Sequence, residues 1–169
     1  MKKRHPAVRF LAHMVSNPWQ VRRRFSEDSM RRIEQAIAVS ERTHSGEIRF
    51  VVEAGLHPYE ILFKKTPRKR AIELFGRLNI WDTENNNGVL IYLLLADRDV
   101  EIVADRGIDH RVGYDIWDAI CREMEKLFKK GEYEAAVLQG IAEISTHLQR
   151  HFPHDSSRKN EISDRPLVL

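Results

Sequence analysis

The sequence has 169 residues, of which 42% are hydrophobic and 31% are charged, and such values are typical of one soluble globular domain with a real core. Its only cysteine is Cys121, which excludes a disulfide framework and a multi-cysteine zinc site. No apolar run reaches the roughly 18 residues that span a bilayer, and no secretory signal pattern is visible. We therefore expect a single-domain cytoplasmic protein.

The positive charge is concentrated at one end of the sequence. Residues 1–24 contain seven lysines and arginines and no acid, whereas the remainder has 21 basic and 25 acidic residues. A nucleic-acid-binding domain usually carries positive charge on its folded body, so we expect no nucleic-acid partner. Residues 1–24 also contain large apolar side chains and are predicted to form a basic amphipathic arm. These side chains are Phe10, Leu11, Met14, Val15 and Trp19. The pattern leaves two interpretations open: docking on a protein partner or on the domain itself, or peripheral contact with an anionic membrane surface.

Helical and strand patterns alternate along the chain. In chain order, we predict a short helix over 6–15, a helix capped by Ser26, a strand over 47–54, a loop over 55–65, a helix from Pro67, strands over 89–95 and 100–104, a helix that ends at Gly131, and a last helix over 133–152. Residues 154–169 are predicted to form a flexible tail. The folded domain is thereby placed at residues 25–153.

The segment from Val89 to Leu95 is apolar on both faces, which is typical of a central strand covered on both sides. The following turn at Asp97 is short enough to form a hairpin with the next strand. A strand, a helix and a second strand precede this turn, and this order favours parallel pairing. The pattern predicts an α/β fold, a three-layer α/β/α sandwich with a small mixed sheet and two long C-terminal helices.

Two acidic groups are candidates for chemistry, and they are predicted at opposite ends of the hairpin. Asp97-Arg98-Asp99 follows a strand, as in phosphatases that use an aspartyl nucleophile and Mg²⁺, although aspartates of this kind are also common in plain turns. The second group consists of Asp82, Glu84, Asp105 and Asp109 together with Asn86 and Asn87. It offers the oxygen ligands that Ca²⁺ or Mg²⁺ prefers, with solvated loop acids as the alternative. Its predicted metal ligands are Asp82, Asn86, Asp105 and Asp109.

Other chemistry-bearing residues have simpler explanations. His147, His151 and His154 have a spacing that can bind zinc, but cationic histidines also suit the end of a helix. Cys121 lies on the apolar face of a predicted helix and is expected to be a core residue. The sequence contains no phosphate-cradling glycine motif and no serine nucleophile elbow, so it shows no complete catalytic constellation.

Several segments together resemble the TPM domain family. They are Ser26–Glu41, Gly46–Glu53, Phe75, Trp81–Thr83, Asn86–Tyr92 and Asp97–Ile102. The similarity covers roughly residues 25–152. It implies a three-layer α/β/α domain, and it is carried mainly by the combination of an Asn-Gly-Val-Leu-Ile strand, an Asp-Arg turn and a Val-x-Ile strand.

The resemblance implies two functional alternatives. Some TPM relatives are described as acid phosphatases and a divalent cation is associated with the fold, while others are noncatalytic modules linked to membrane complexes. Here the family's glycine-rich turn is replaced by 104–110, which contains only Gly107. We therefore expect a noncatalytic ligand- or partner-binding module. The alternative is a low-activity metal-dependent phosphatase of phosphomonoesters in which Ca²⁺ or Mg²⁺ is the cofactor and Arg106 binds phosphate.

Overall fold

The computed structural model describes residues 6–154 and 159–169. Within them the chain forms eight helices and one four-stranded sheet. The elements are α1 Pro6–Met14, α2 Pro18–Arg24, α3 Glu27–Ser40, β1 Glu47–Glu53, α4 Pro58–Leu62, α5 Pro67–Arg77, β2 Gly88–Leu94, β3 Asp99–Ala104, α6 Arg106–Val112, α7 Tyr114–Lys130, α8 Tyr133–His151 and β4 Leu167–Val168. None of the helices in these ranges is both long enough and apolar enough to cross a membrane.

The sheet is mixed, with the strand order β3-β2-β1-β4. β1 and β2 are parallel, with Phe50 opposite Ile91, and β2 and β3 form an antiparallel hairpin, with Ile91 opposite Ile102. The predicted pairing of both strand pairs is thus confirmed. Every residue of β2 is buried, as expected for a central strand with helices on both faces.

Helices cover each face of the sheet, which confirms the three-layer α/β/α prediction. On one face, α3, α7 and α8 pack on a core that includes Phe50, Ile91 and Met124. On the other face, α4 and α5 pack on a smaller core that includes Val51 and Tyr92. Because strand side chains alternate in direction, Phe50 and Val51 are neighbours in sequence but belong to opposite cores.

Local capping determines where the helices begin and end. The Ser26 side chain accepts a hydrogen bond from the Ser29 amide at the start of α3, and Gly131 ends α7 with a left-handed backbone at φ 84°, both as predicted. Three helices were not predicted, namely α2, α4 and α6. Each is short, at five to seven residues, so that hydrophobic periodicity cannot distinguish it from a loop.

The C-terminal segment 159–169 lies along the free edge of β1. β4 pairs with Val51 and Val52 of β1, and the buried Glu47 carboxylate accepts hydrogen bonds from the amides of Glu161 and Ile162 at 3.2 and 3.1 Å. The prediction of a flexible tail did not include this strand, because β4 has only two residues and its partner β1 lies far away in sequence. Residues 155–158 of that tail are outside the described residues.

Candidate functional site

The start of β2 and the end of β3 bring two loops together at one end of the sheet. The Asp105 amide donates to the Gly88 carbonyl at 2.8 Å, so the loop before β2 faces the first turn of α6. Gly107 lies so close to this loop that a Cβ atom at its position would be 2.4 Å from the Asn86 carbonyl oxygen. Glycine at residue 107 is therefore required by the approach of two backbones.

Two buried oxygen atoms at this end of the sheet have no hydrogen-bond donor among residues 6–154 and 159–169. Asp105 caps α6 by accepting from the Arg106 amide at 2.6 Å, while its Oδ2 is buried and without a partner. Asn87 is fully buried and donates from Nδ2 to the Ser45 carbonyl at 2.9 Å, while its Oδ1 also lacks a donor. A buried acceptor without a partner is costly, so both atoms are candidates for ligand binding.

The structure brings together only part of the predicted metal site. Asn86 and Asp105 belong to the facing loops, whereas Asp109 accepts a hydrogen bond from the Trp117 indole at 3.0 Å. Asp82 and Arg106 are exposed, and the described contacts do not join Asp82 to the other residues. Sequence reasoning counted Asn87 among the oxygen ligands but did not single it out, because three consecutive asparagines look equivalent until burial distinguishes one of them.

The chemistry of this donor set partly fits a divalent cation. Carboxylate, amide and carbonyl oxygens are hard ligands of the kind that Ca²⁺ takes. However, no group of three or more His, Cys, Asp and Glu residues that could hold a metal ion occurs within 6–154 and 159–169. A cation at Asp105 would therefore have at most two such side chains as ligands and would depend on amide and backbone oxygens for the others. The same finding leaves the three-histidine zinc alternative without support, and His147 contacts the Trp117 ring edge-on at 6.0 Å.

At the opposite end of the sheet, Asp97 holds α1 against the domain. Its carboxylate accepts hydrogen bonds from Arg9 Nε at 3.0 Å and Nη2 at 2.9 Å, and His13 Nε2 lies 3.2 Å from its Oδ1. Burial opposes ionisation of Asp97, but the contacts from His13 and Arg9 outweigh it and lower the pKa of the carboxyl. Asp97 thus serves as a structural anchor in a turn.

His13 completes this anchor by bonding the domain from its other ring nitrogen. Its Nδ1 accepts a hydrogen bond from the Leu56 amide at 2.9 Å, so this nitrogen carries no proton. In the neutral ring the proton therefore resides on Nε2, which faces Asp97. The ring is buried, and it links α1, the loop after β1 and the turn after β2.

The remaining side of α1 is apolar and faces water. Val8, Leu11, Met14 and Val15 are between 53% and 65% exposed, while the polar Arg9 and His13 point inward. The neighbouring α4 adds three further side chains, Tyr59, Leu62 and Phe63, that are between 63% and 72% exposed. We call these seven side chains the α1–α4 apolar surface. An amphipathic helix normally buries its apolar stripe, so α1 has the reverse orientation.

Half-buried Asp99 of β3 and buried Cys121 of α7 both have a shifted pKa. Burial, with the nearby Glu101 and Glu125 carboxylates, raises the pKa of Asp99 to about 7. Burial also raises the pKa of the Cys121 thiol to about 12, which fits its predicted place in the core and an unreactive thiol.

Comparisons with known proteins agree with this fold. The model of the TPM domain matches residues 22–147. Among solved structures, the chain is similar to the BA42 protein of the psychrophilic bacterium Bizionia argentinensis, with a TM-score of 0.76 and 27% identity over 86% of this chain and 95% of that one. No curated protein matches the chain significantly.

A second solved structure shows the fold at lower sequence similarity. It is the N-terminal domain of a protein from P. gingivalis, with a TM-score of 0.62 and 16% identity over 92% of this chain and 99% of that one. The family match covers most of the chain. The chain belongs to the TPM domain family, as the resemblance in its sequence predicted.

Proposed function

We propose that this chain is a noncatalytic TPM-type module that binds a partner through the α1–α4 apolar surface. The reversed orientation of α1 carries the proposal. Contiguous exposed apolar patches are uncommon on monomeric proteins and usually mark interaction sites. The ion pair between Arg9 and Asp97 and the buried His13 ring hold α1 with its apolar side outward. This is the arrangement that a docking surface needs.

The noncatalytic character rests on what the polar groups already do. Asp97 is engaged by Arg9 and His13, and Asp109 is engaged by the Trp117 indole. Catalysis of phosphoryl transfer needs charge stabilisation around the reacting group. In the described residues, the loops at Asp105 have no group of three or more His, Cys, Asp and Glu residues that could hold a metal ion.

Retention of the full-length protein on a phenyl matrix tests whether this surface is available for apolar contact. We expect the double substitution Leu11→Ser with Val15→Ser to weaken retention clearly, since two exposed apolar side chains, one in α1 and one directly after it, are lost. The matched control is Val39→Ser with Ile72→Ser, two residues of similar exposure, 50% and 52%, outside the surface. Equal retention of the test variant and the unmodified protein would contradict the proposal.

The alternative is a low-activity metal-dependent phosphatase, which the unpartnered Asp105 Oδ2 and Asn87 Oδ1 favour. In this alternative the two loops would hold Ca²⁺ or Mg²⁺, which would supply charge stabilisation for a phosphomonoester, and Arg106 would contact phosphate. Hydrolysis of p-nitrophenyl phosphate that is lost with EDTA, with Asp105→Asn and with Arg106→Gln would support this function. Absence of metal-dependent hydrolysis would reject it.

A further inference from the structure

We infer that the partner of the α1–α4 apolar surface is the surface of an anionic lipid bilayer. The inference rests on the proposed function, because it names the partner of the same surface. It commits to lipid on the basis of three observations: the direction in which α1 faces, the charge around the surface, and the way in which α1 is held.

The direction of α1 suits a helix that lies in the plane of a membrane interface. Leu11 and Val15 are one helical turn apart and both are exposed, with Met14 between them. Interfacial helices bury such a stripe in the boundary between headgroups and acyl chains. Aromatic side chains are enriched at this depth, and the exposed Tyr59, Phe63 and Trp19 are available at or beside the surface.

The charge around the surface complements anionic headgroups. Arg22 and Arg23 of α2, which follows α1, and Lys64, which follows Phe63, are exposed basic residues. Three acids beside α1 and α4 are all paired with cations, Asp97 with Arg9, Glu60 with Lys65 and Glu53 with Arg70. The surface is therefore apolar with a positive surround, and each basic residue near an anionic leaflet is attracted to it.

The same charge argues against self-association through this surface. A symmetric dimer would place the same patch on both copies face to face, and the arginines and lysines around it would then repel each other. An acidic protein partner would satisfy the charge, but the cores of protein interfaces are depleted in charged residues and rely on shape complementarity. A fluid lipid surface can bury an exposed row of flexible aliphatic side chains without needing a complementary shape.

The anchor at Asp97 presents α1 as a formed helix. Isolated helices of this length are unstable in water. A free arm would therefore have to fold during binding, and the free energy cost of folding would weaken its affinity. Here Arg9 and His13 bind Asp97 and Leu56 on the inner side of α1. The outer side is consequently preorganised for insertion, and no polar group of α1 that bonds the domain has to be released.

Co-sedimentation of the full-length protein with vesicles tests the inference. The vesicles are phosphatidylcholine with about 30% phosphatidylserine, compared with pure phosphatidylcholine. We expect binding to the anionic vesicles that falls at least about tenfold without phosphatidylserine and also falls at high salt. The phosphatidylserine requirement separates an anionic lipid surface from general adhesion to apolar material.

Three variants separate apolar insertion from charge. Leu11→Ser with Val15→Ser should weaken vesicle binding by at least about tenfold, and Arg22→Gln with Arg23→Gln should weaken it on the order of tenfold at low salt. The control Val39→Ser with Ile72→Ser should bind as the unmodified protein does. Circular dichroism melts of each variant establish that the loss is not unfolding, since all six substituted side chains are exposed.

Each of the other possible outcomes contradicts a particular part of the lipid inference or of the proposed function. Retention on the phenyl matrix that depends on Leu11 and Val15, without binding to anionic vesicles, overturns the lipid inference and leaves a protein partner for the proposed function. Vesicle binding that needs the arginines but not Leu11 and Val15 overturns the role of the apolar surface. Concentration-dependent dimerisation that those two substitutions abolish, without vesicle binding, assigns the surface to a second copy. If no variant loses either retention on the phenyl matrix or binding to vesicles, both proposals are rejected.

Discussion

Arg9 and Asp97 form a bidentate ion pair across 88 residues of sequence, with Arg9 Nη2 2.9 Å from Asp97 Oδ2. The pair joins the first described helix to the turn between β2 and β3, and Arg9 also donates to the Lys65 carbonyl at 2.8 Å. The orientation of α1 therefore follows from polar contacts, since its apolar residues contribute little to its attachment.

Removal of the Arg9 guanidinium should release α1 from the domain. We expect Arg9→Met to lower the free energy of unfolding by about 2 kcal/mol, because the mostly buried Asp97 carboxylate loses its charged partner. Hydrogen exchange at the Leu56 amide should also accelerate, since that amide bonds His13. Arg22→Met, at an exposed position of α2, is the control and should change stability by less than about 0.5 kcal/mol. Indistinguishable denaturation midpoints for the two variants would contradict the anchor.

Asp99 should make the protein less stable as pH rises toward neutrality. Its pKa is raised to about 7 in the folded chain, whereas an unfolded aspartate titrates at about 3.9. Between these values the unfolded chain has already lost the proton that the folded chain retains, so the free energy of unfolding falls with rising pH.

The substitution Asp99→Asn tests this dependence. Near pH 8 we expect it to raise the free energy of unfolding by on the order of 2 kcal/mol, and near pH 4 the gain should vanish. Asp115→Asn, at an exposed position of α7, is the matched control and should show no such trend. Urea denaturation across the pH range measures both, and a gain for Asp99→Asn that does not depend on pH would refute the assigned cause.

Two glycine-to-alanine changes should have opposite signs. Gly107→Ala would place a Cβ atom 2.4 Å from the Asn86 carbonyl oxygen, and we expect a loss of about 1–3 kcal/mol because the backbone must shift. Gly76→Ala meets nothing within 4 Å in the last turn of α5 and should gain about 0.5 kcal/mol from helix propensity. Thermal denaturation of both variants decides the matter, and a tolerated Gly107→Ala would mean that the two loops are not held at this distance.

Glu47 should hold the C-terminal segment on the sheet edge. We expect Glu47→Ala to cost about 2 kcal/mol, since the amides of Glu161 and Ile162 lose a charged acceptor. Hydrogen exchange should accelerate at these two amides and at Leu169. Glu123→Ala, at an exposed position of α7, is the control and should leave this exchange unchanged. Continued slow exchange in Glu47→Ala would show that β4 alone is sufficient to hold the segment.

The parts of the fold that sequence reasoning predicted depend on short-range signals. A few consecutive residues are sufficient to recognise the apolar run of β2, the N-cap at Ser26 and the helix end at Gly131. The hairpin register also placed Asp97 and Asp105 at opposite ends of the sheet, as observed. Long helices and a buried strand leave periodic patterns, so that their order was sufficient to predict the layers.

The features that sequence reasoning missed depend on contacts between distant residues. Arg9 and His13 face inward only because Asp97 and Leu56 lie beneath them. Asn87 is buried whereas Asn85 and Asn86 are exposed, a difference that adjacent residues do not reveal. The basic, apolar composition of the arm was visible from the outset, but the side of α1 that faces water was decided by the domain.

The placement of β4 has a consequence for how the molecule is assembled in time. Arg165 and Leu167 meet Arg49 and Val51 across 116 residues, so this contact closes a large loop and is entropically slow to form. During synthesis the outer border of β1 stays open until nearly all of the described chain has emerged. Segment 159–169 thus closes a strand border that would otherwise be free to pair with other chains.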